Sequence, residues 1–191
     1  MRIQKLKVLV DYAIDDCQRI IQNDPLVVLS EGDFEKILSD CISNRIGYHP
    51  GIAKPNDYAV HSQITHYDNE SNELNARVDI LLAKPVDIKP DYTHNKNFVL
   101  FRSANSFAIE LKYRHDNSFA CVTAAKKDID KVVKYADDSY YYFIILLDKN
   151  VQTKNHIEDI MNYYETKKAE LDEKYKRKFF CRILVKDKQN I

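Results

Sequence analysis

The sequence predicts an α/β domain in which helices flank a mixed sheet. Three observations lead to this fold class. Several long segments repeat apolar residues at the spacing of an amphipathic helix, shorter segments alternate apolar and polar residues, and Tyr140–Leu147 is a continuous apolar run. Such a run is typical of a central strand that is buried on both faces. Helices and strands that follow one another in this way favour a sandwich of helices and sheet.

The N-terminal part of the chain is predicted to be helical. Residues Ile3 to Ile21 place apolar side chains on one face and are followed by a stop signal that ends in Pro25. A second helix is predicted to begin after Ser30, because Ser30 and Asp33 form a capping-box pattern. This second helix is predicted to run through Phe34, Leu38, Cys41, Ile42 and Arg45.

Strands and helices then follow each other to the C-terminus. In chain order the sequence predicts a loop at Gly47–Tyr58, a hairpin of Val60–Tyr67 and Leu74–Ala83, a polar excursion at Pro85–Asn97, a short strand at Phe98–Phe101, a strand at Ser106–Arg114, a helix at Thr123–Tyr135, the buried strand Tyr140–Leu147, a helix from Ile157 to about Tyr175, and a strand at Phe179–Val185.

Composition limits the possible functions. With 191 residues and 45% hydrophobic content, residues 1–191 are expected to form a single domain. Lysine plus arginine equals aspartate plus glutamate at 29 each, so any nucleic-acid-binding surface must be local. Only three glycines are present, which excludes the glycine-rich loops that bind ATP or NAD. Scattered cysteines and the lack of a signal peptide or an apolar span predict a cytoplasmic protein without membrane contact.

Two of the predicted strands carry residues that can act together. On the strand Ser106–Arg114, alternation places Glu110 and Lys112 on the same face. Asp79 interrupts an apolar, β-branched run on the preceding long strand. If the two strands pair, the carboxylates of Asp79 and Glu110 converge. Two carboxylates are a typical protein contribution to a Mg²⁺ site.

An aspartate that closes a hairpin, followed by Glu-x-Lys on the next strand, resembles the core of the PD-(D/E)xK nuclease superfamily. That family has the restriction-endonuclease-like fold, with an αβββαβ core, and the resemblance covers roughly residues 30–148. The N-terminal helix and the C-terminal helix and strand would be additions to this core. The residue before Asp79 is Val78 and not proline, which departs from the family pattern.

The resemblance implies Mg²⁺- or Mn²⁺-assisted hydrolysis of phosphodiester bonds, most often in DNA, in restriction, defence or repair. Asp79, Glu110 and the backbone carbonyl of Leu111 would hold the metal, and Lys112 would orient or deprotonate the attacking water. A glutamate on the first core helix would join them, with Glu31 as the candidate and Glu35 as the alternate. Without such a role, Glu31 would stabilise the helix N-terminus through its charge.

Other residues are weaker candidates for contacts to nucleic acid. Arg77 shares the face of Asp79 and would bind phosphate or neutralise the carboxylates. Lys127 and Lys131, with Lys126, follow the Glu-x-Lys strand on a helix that would face the substrate or only solvent. A homodimer or a partner subunit could supply target binding.

Two alternatives to a nuclease remain open from the sequence. One is a catalytically inactive module on the same fold that binds nucleic acid or protein. The other is an unrelated α/β domain in which Glu110 and Lys112 form a surface ion pair and Asp79 is a turn carboxylate.

Overall fold

The computed structural model describes residues 1–52, 54–68, 73–91, 96–100, 106–114, 119–134, 140–149 and 152–187. In chain order these residues form α1 (Ile3–Asn23), a short 3-10 helix (Pro25–Val27), α2 (Glu31–Ile46), β1 (Ala59–Asp68), β2 (Glu73–Ala83), a second 3-10 helix (Pro85–Asp87), β3 (Ile88–Asp91), β4 (Lys96–Leu100), β5 (Phe107–Arg114), α3 (Phe119–Lys134), β6 (Tyr140–Asp148), α4 (Thr153–Glu170), α5 (Glu173–Lys176) and β7 (Phe179–Lys186).

The strands of the described residues form one mixed sheet. Its order is β3-β4-β1-β2-β5-β6-β7, with β5 and β6 near one end. β1 and β2 are an antiparallel hairpin and β2 pairs antiparallel with β5, whereas β5, β6 and β7 are parallel. The predicted α/β class, with helices around a mixed sheet, is therefore confirmed.

Helices cover both faces of the sheet. One core cluster joins α1 and α2 to Phe107, Ile109 and Leu111 of β5. The other cluster joins α3 and α4 to Ala108 of β5 and to the face of β6 that points away from α1 and α2. The alternation predicted for β5 is confirmed, and each fully buried large side chain in these clusters contributes roughly 1.5–3 kcal/mol. The face of β5 that carries Glu110 and Lys112 is thus the face toward α3.

The first turn of α2 is held by the predicted capping box. Ser30 Oγ accepts a hydrogen bond from the backbone N–H of Asp33, and the Asp33 carboxylate accepts one from the backbone N–H of Ser30. The helix ends at Gly47, whose φ of 69° is a conformation that glycine adopts without steric cost. Glu31 is therefore fixed as the first residue of α2.

The structure differs from the predicted elements at several points, and packing or hydrogen bonding explains the following three. The polar excursion after β2 contains β3, which includes Pro90, and an edge strand tolerates a proline because one of its sides needs no hydrogen-bond donor. α3 begins at Phe119 and not at Thr123, because Cys121 and Val122 are buried in the core cluster. The last predicted helix is broken at Leu171, which adopts an extended conformation and packs against the same core cluster.

None of the helices in the described residues has both the length and the apolar character that crossing a membrane requires.

Candidate active site

The candidate site lies where β2 and β5 stop pairing. Their register includes Leu82 with Phe107, Leu81 with Ala108 and Ile80 with Ile109, and it ends there. β5 itself continues to Arg114 alongside β6. The edge of β5 that faces β2 is therefore open from Glu110 onward, and we call this region the open end of the β2–β5 pair.

Two carboxylates replace the missing strand at the open end. The backbone N–H of Leu111 donates to Asp79 Oδ2 at 2.7 Å, and the backbone N–H of Tyr113 donates to Glu31 Oε2 at 3.0 Å. Leu111 and Tyr113 are two residues apart, so their N–H groups point toward the same side of the strand. Side chains from β2 and α2 thus satisfy donors that a continuous ladder would have paired.

Glu110 is a buried carboxylate with one oxygen paired and one unpaired. The residue is only 6% exposed, and its Oε1 atom lies 2.7 Å from Lys131 Nζ of α3. Oε2 is buried and has no hydrogen-bond partner among the described residues. Burial raises the pKa of Glu110 to about 7, against the opposing effect of Lys131 and with a further increase from the negative charge of Asp79.

Lys112 lies between carboxylates from two helices. Its Nζ is 3.3 Å from Glu31 Oε2 on α2 and 3.2 Å from Asp128 Oδ2 on α3. The contact with Asp128 Oδ2 is an ion pair without hydrogen-bond geometry, since that oxygen has no hydrogen-bond partner within the described ranges. Burial acts to lower the pKa of Lys112, but the charges of Asp128 and Glu31 outweigh it and raise the pKa. Lys112 is therefore held as a cation.

The surroundings of Asp79 raise the pKa of its carboxyl group. Burial raises its pKa, the hydrogen bond from Leu111 lowers it, and the charges of Glu31 and Glu35 raise it again. The two glutamates considered on α2 are therefore both close enough to Asp79 to affect its charge. Glu31 also makes direct contacts to β5, with the backbone N–H of Tyr113 and with the Lys112 ammonium.

The cluster has excess negative charge when all its groups are ionised. Its members are four carboxylates and two ammonium groups, which sum to a formal charge of −2: Glu31, Asp79, Glu110 and Asp128 against Lys112 and Lys131. Burial raises the pKa of Asp128 as it does those of Asp79 and Glu110. A site of this charge gains from binding a divalent cation.

The residues present fit a hard cation held by few protein ligands. Carboxylate and carbonyl oxygens are the ligands that Mg²⁺ prefers, and one or two carboxylates are usual when waters and substrate phosphates complete the shell. The unpaired, buried Glu110 Oε2 is an acceptor that such a cation would satisfy. Among the described residues no three His, Cys, Asp or Glu side chains form a metal-binding group, so the fit is to a site with two carboxylates, Asp79 and Glu110.

The structure brings most of the predicted site residues together. Asp79, Glu110, Lys112 and Glu31 meet at the open end, and Leu111 donates its N–H to Asp79 there. Lys131 contacts Glu110.

The remaining predicted residues are Lys127, Lys126 and Arg77. Lys127 lies on the exposed side of α3. Lys126 lies over the ring of Tyr163 at 5.4 Å from its centroid. The backbone of Arg77 pairs with Thr65 in the hairpin, and its side chain is outside the described residues.

One member of the cluster was not predicted. Asp128 lies on α3 one turn before Lys131, between the buried residues Ala125 and Ile129. Its spacing of three residues from Ala125 indicates the side of the helix that faces the sheet. An acidic residue at that spacing, opposite a strand with a lysine, is the signal that identifies it.

Comparison of the chain with protein-family models, with curated proteins and with solved structures gives no match. The arrangement at the open end therefore carries the functional inference by itself.

Proposed function

We propose that this protein is a metal-dependent nuclease that hydrolyses phosphodiester bonds, with a PD-(D/E)xK site on a restriction-endonuclease-like core. The observation that carries the proposal is the open end of the β2–β5 pair. There Asp79 accepts a hydrogen bond from Leu111, and Glu110 shares a face of β5 with the cationic Lys112. Buried carboxylate oxygens usually have a hydrogen-bond partner, and Glu110 Oε2 has none among the described residues, so it is an acceptor that a bound cation would satisfy.

Asp79, Glu110 and the backbone carbonyl of Leu111 are the proposed ligands of Mg²⁺ or Mn²⁺. When bound, such a cation acidifies water and neutralises phosphate charge. Lys112 orients a water molecule at the site and offsets the negative charge that develops on the phosphate in the transition state. Glu31 and Asp128 act as positioning residues, since each contacts the Lys112 ammonium from a different helix.

DNA is the proposed substrate, in a restriction, defence or repair role. The chain has no net charge, so affinity for the phosphate backbone has to come from local lysines. Lys127 on the exposed side of α3 is one candidate, and Arg77 on β2 is another. A second copy of the chain or a partner subunit would enlarge this surface.

The test is incubation of the protein with plasmid DNA, single-stranded DNA and RNA, each in Mg²⁺, in Mn²⁺ and in EDTA. We expect cleavage of DNA that depends on the metal and is lost in the Glu110→Gln variant. Lys154→Ala on α4 is the control, because this side chain is 87% exposed and lies outside the candidate site, and the variant should cleave like wild type. Cleavage that persists in EDTA or in Glu110→Gln would contradict the proposal.

The ion pair of Lys131 with Glu110 favours a second candidate function. A lysine on a ligand carboxylate is also what an inactive module on this fold would use to neutralise the remains of a metal site. Such a module would bind nucleic acid or a protein without cleaving. It predicts DNA binding that is independent of divalent metal, with no product in any of the incubations above.

A further inference from the structure

Two ion pairs of opposite polarity join strand β5 to helix α3. Glu110 of β5 contacts Lys131 of α3 at 2.7 Å, and Lys112 of β5 contacts Asp128 of α3 at 3.2 Å. An acid and a base on the strand thus face a base and an acid on the helix. Helix α3 therefore contributes side chains to the candidate site as well as covering the sheet.

The two oxygens of Glu110 differ in their surroundings. Oε1 has the Lys131 ammonium at hydrogen-bond distance, whereas Oε2 is buried and has no partner in the part of the chain that the structure describes. The charge of Lys131 also acts on Asp79, the second proposed metal ligand. One ammonium group therefore offsets part of the negative charge of the two carboxylates between which a divalent cation would bind.

We propose that Lys131 is an internal counterion that binds the Glu110 carboxylate in place of a divalent cation, and that cation binding displaces its ammonium from Glu110. This inference rests on the proposed function, because it concerns the same metal site. It adds a determinant of metal affinity, on a helix that provides none of the proposed metal ligands.

The geometry of Lys131 suits a displaceable cation. Its side chain is 33% exposed, while that of Glu110 is 7% exposed, so the lysine reaches the buried acid from the protein surface. A lysine has a flexible four-carbon stem and a compact charge, and it can withdraw into solvent without disturbing the backbone. Glu110 cannot move in the same way, because its side chain is buried and pairing with β6 fixes its backbone.

Competition between the two cations has a clear consequence for affinity. A divalent cation that binds Glu110 comes close to the Lys131 ammonium, and the repulsion between the two positive charges weakens metal binding and drives the ammonium away from Oε1. Without Lys131 the carboxylates keep their full negative charge, which favours the cation further. If Lys131 served only to bind phosphate, its removal would leave the metal affinity unchanged when no nucleic acid is present.

The experiment is calorimetric titration of Mn²⁺ into the full chain without nucleic acid. The variants are Lys131→Met, Lys131→Gln as a polar replacement, and Lys154→Met as the control, a lysine of α4 whose side chain is 87% exposed. We expect both Lys131 variants to bind Mn²⁺ on the order of tenfold more tightly than wild type. Lys154→Met should match wild type. Adding Glu110→Gln to Lys131→Met should remove the gain, because the gain requires the ligand carboxylate.

Equal or weaker Mn²⁺ binding in both Lys131 variants, with wild-type binding measurable, would overturn the counterion role and leave the nuclease proposal standing. Binding in the Lys131 variants but none in wild type would support the counterion role and argue against a wild-type metal-dependent enzyme. Absence of Mn²⁺ binding in wild type and both variants, with folding verified by circular dichroism, would overturn both.

Discussion

The backbone N–H groups of β5 are satisfied differently at the two ends of the β2–β5 pair. At the end where the strands pair, which we call the closed end, Leu82 pairs with Phe107 and Ile80 with Ile109, and all four residues are fully buried. At the open end, the N–H groups of β5 are satisfied by the carboxylates of Asp79 and Glu31. The closed end gives stability through apolar burial and a regular ladder.

The open end places negative charge in a partly buried position, which raises the pKa of Asp79 and Glu110. One strand can therefore contribute apolar burial at one end and charged side chains at the other, provided that its partner strand stops before the charged residues. The following variants test that separation of the two ends.

The largest expected effect is on catalysis at the open end. Lys112→Ala should reduce the rate of DNA cleavage by roughly 10²- to 10⁴-fold, the usual contribution of a group that positions or transfers a proton. Mn²⁺ binding should change little, because the ammonium is not a ligand. Single-turnover cleavage assays and calorimetry measure the two quantities. An unchanged cleavage rate would remove Lys112 from the mechanism.

A second variant breaks the backbone contact at the open end. Asp79→Ala leaves the N–H of Leu111 without its acceptor, which should lower the free energy of unfolding by about 2 kcal/mol. Asp79→Asn keeps a side-chain oxygen and should lose less than half as much, although both variants should lose the response to Mn²⁺. Urea denaturation with and without Mn²⁺ distinguishes them.

The control for Asp79 comes from the closed end. Ile80→Val removes one buried methylene and should cost about 1 kcal/mol of stability. Its stabilisation by Mn²⁺ should equal that of wild type. If Ile80→Val also lost the metal response, stability and chemistry would not be separated along the strand.

A third variant uses the raised pKa of Glu110. The pKa of Glu110 in the folded protein is about 7, whereas the pKa of the free group is 4.5. The folded protein therefore holds the Glu110 proton to a higher pH than the unfolded chain does. The stability from this group is therefore complete below 4.5 and is lost as the pH rises toward 7.

Glu110→Gln does not titrate, so it should be more stable than wild type at pH 8 in EDTA by about 1 kcal/mol, after the loss of the Lys131 contact is included. The difference should shrink at pH 5. Thermal melts at both pH values measure it, and a variant less stable than wild type at both would indicate that the Lys131 ion pair dominates.

The smallest expected effect is at Glu31. Its side chain is 41% exposed, so Glu31→Ala should cost only about 0.5 kcal/mol, even though Tyr113 loses a hydrogen bond. Glu31→Gln should cost less, because it keeps an oxygen acceptor. Chemical denaturation of the two variants side by side measures the difference, and equal losses would mean that the Tyr113 contact contributes nothing.

The sequence predicted the ingredients of the site better than their contacts. Alternation on β5 and the position of Asp79 in an apolar strand follow from local pattern, and both are visible without a structure. The capping box at Ser30 likewise located the start of α2 and thereby Glu31. Each of these predictions depends on a few neighbouring residues.

The contacts of α3 could not be predicted in the same way. Whether Lys131 faces Glu110 or solvent depends on how α3 is rotated about its axis against the sheet, which the packing of Ala125 and Ile129 decides. Helical periodicity alone left both possibilities open. The break at Leu171 has a similar origin, since a leucine in a helical pattern becomes extended when tertiary packing outweighs its helix propensity.

The contact between Glu31 and Tyr113 also bears on the order of events in folding. It joins residues 82 positions apart, compared with 32 for Asp79 and Leu111 and 21 for Lys131 and Glu110. Closing a longer loop costs more chain entropy, so distant contacts tend to form after nearer ones. We therefore expect α2 to dock on β5 late. Substitutions at Glu31 would then accelerate unfolding while leaving the folding rate nearly unchanged.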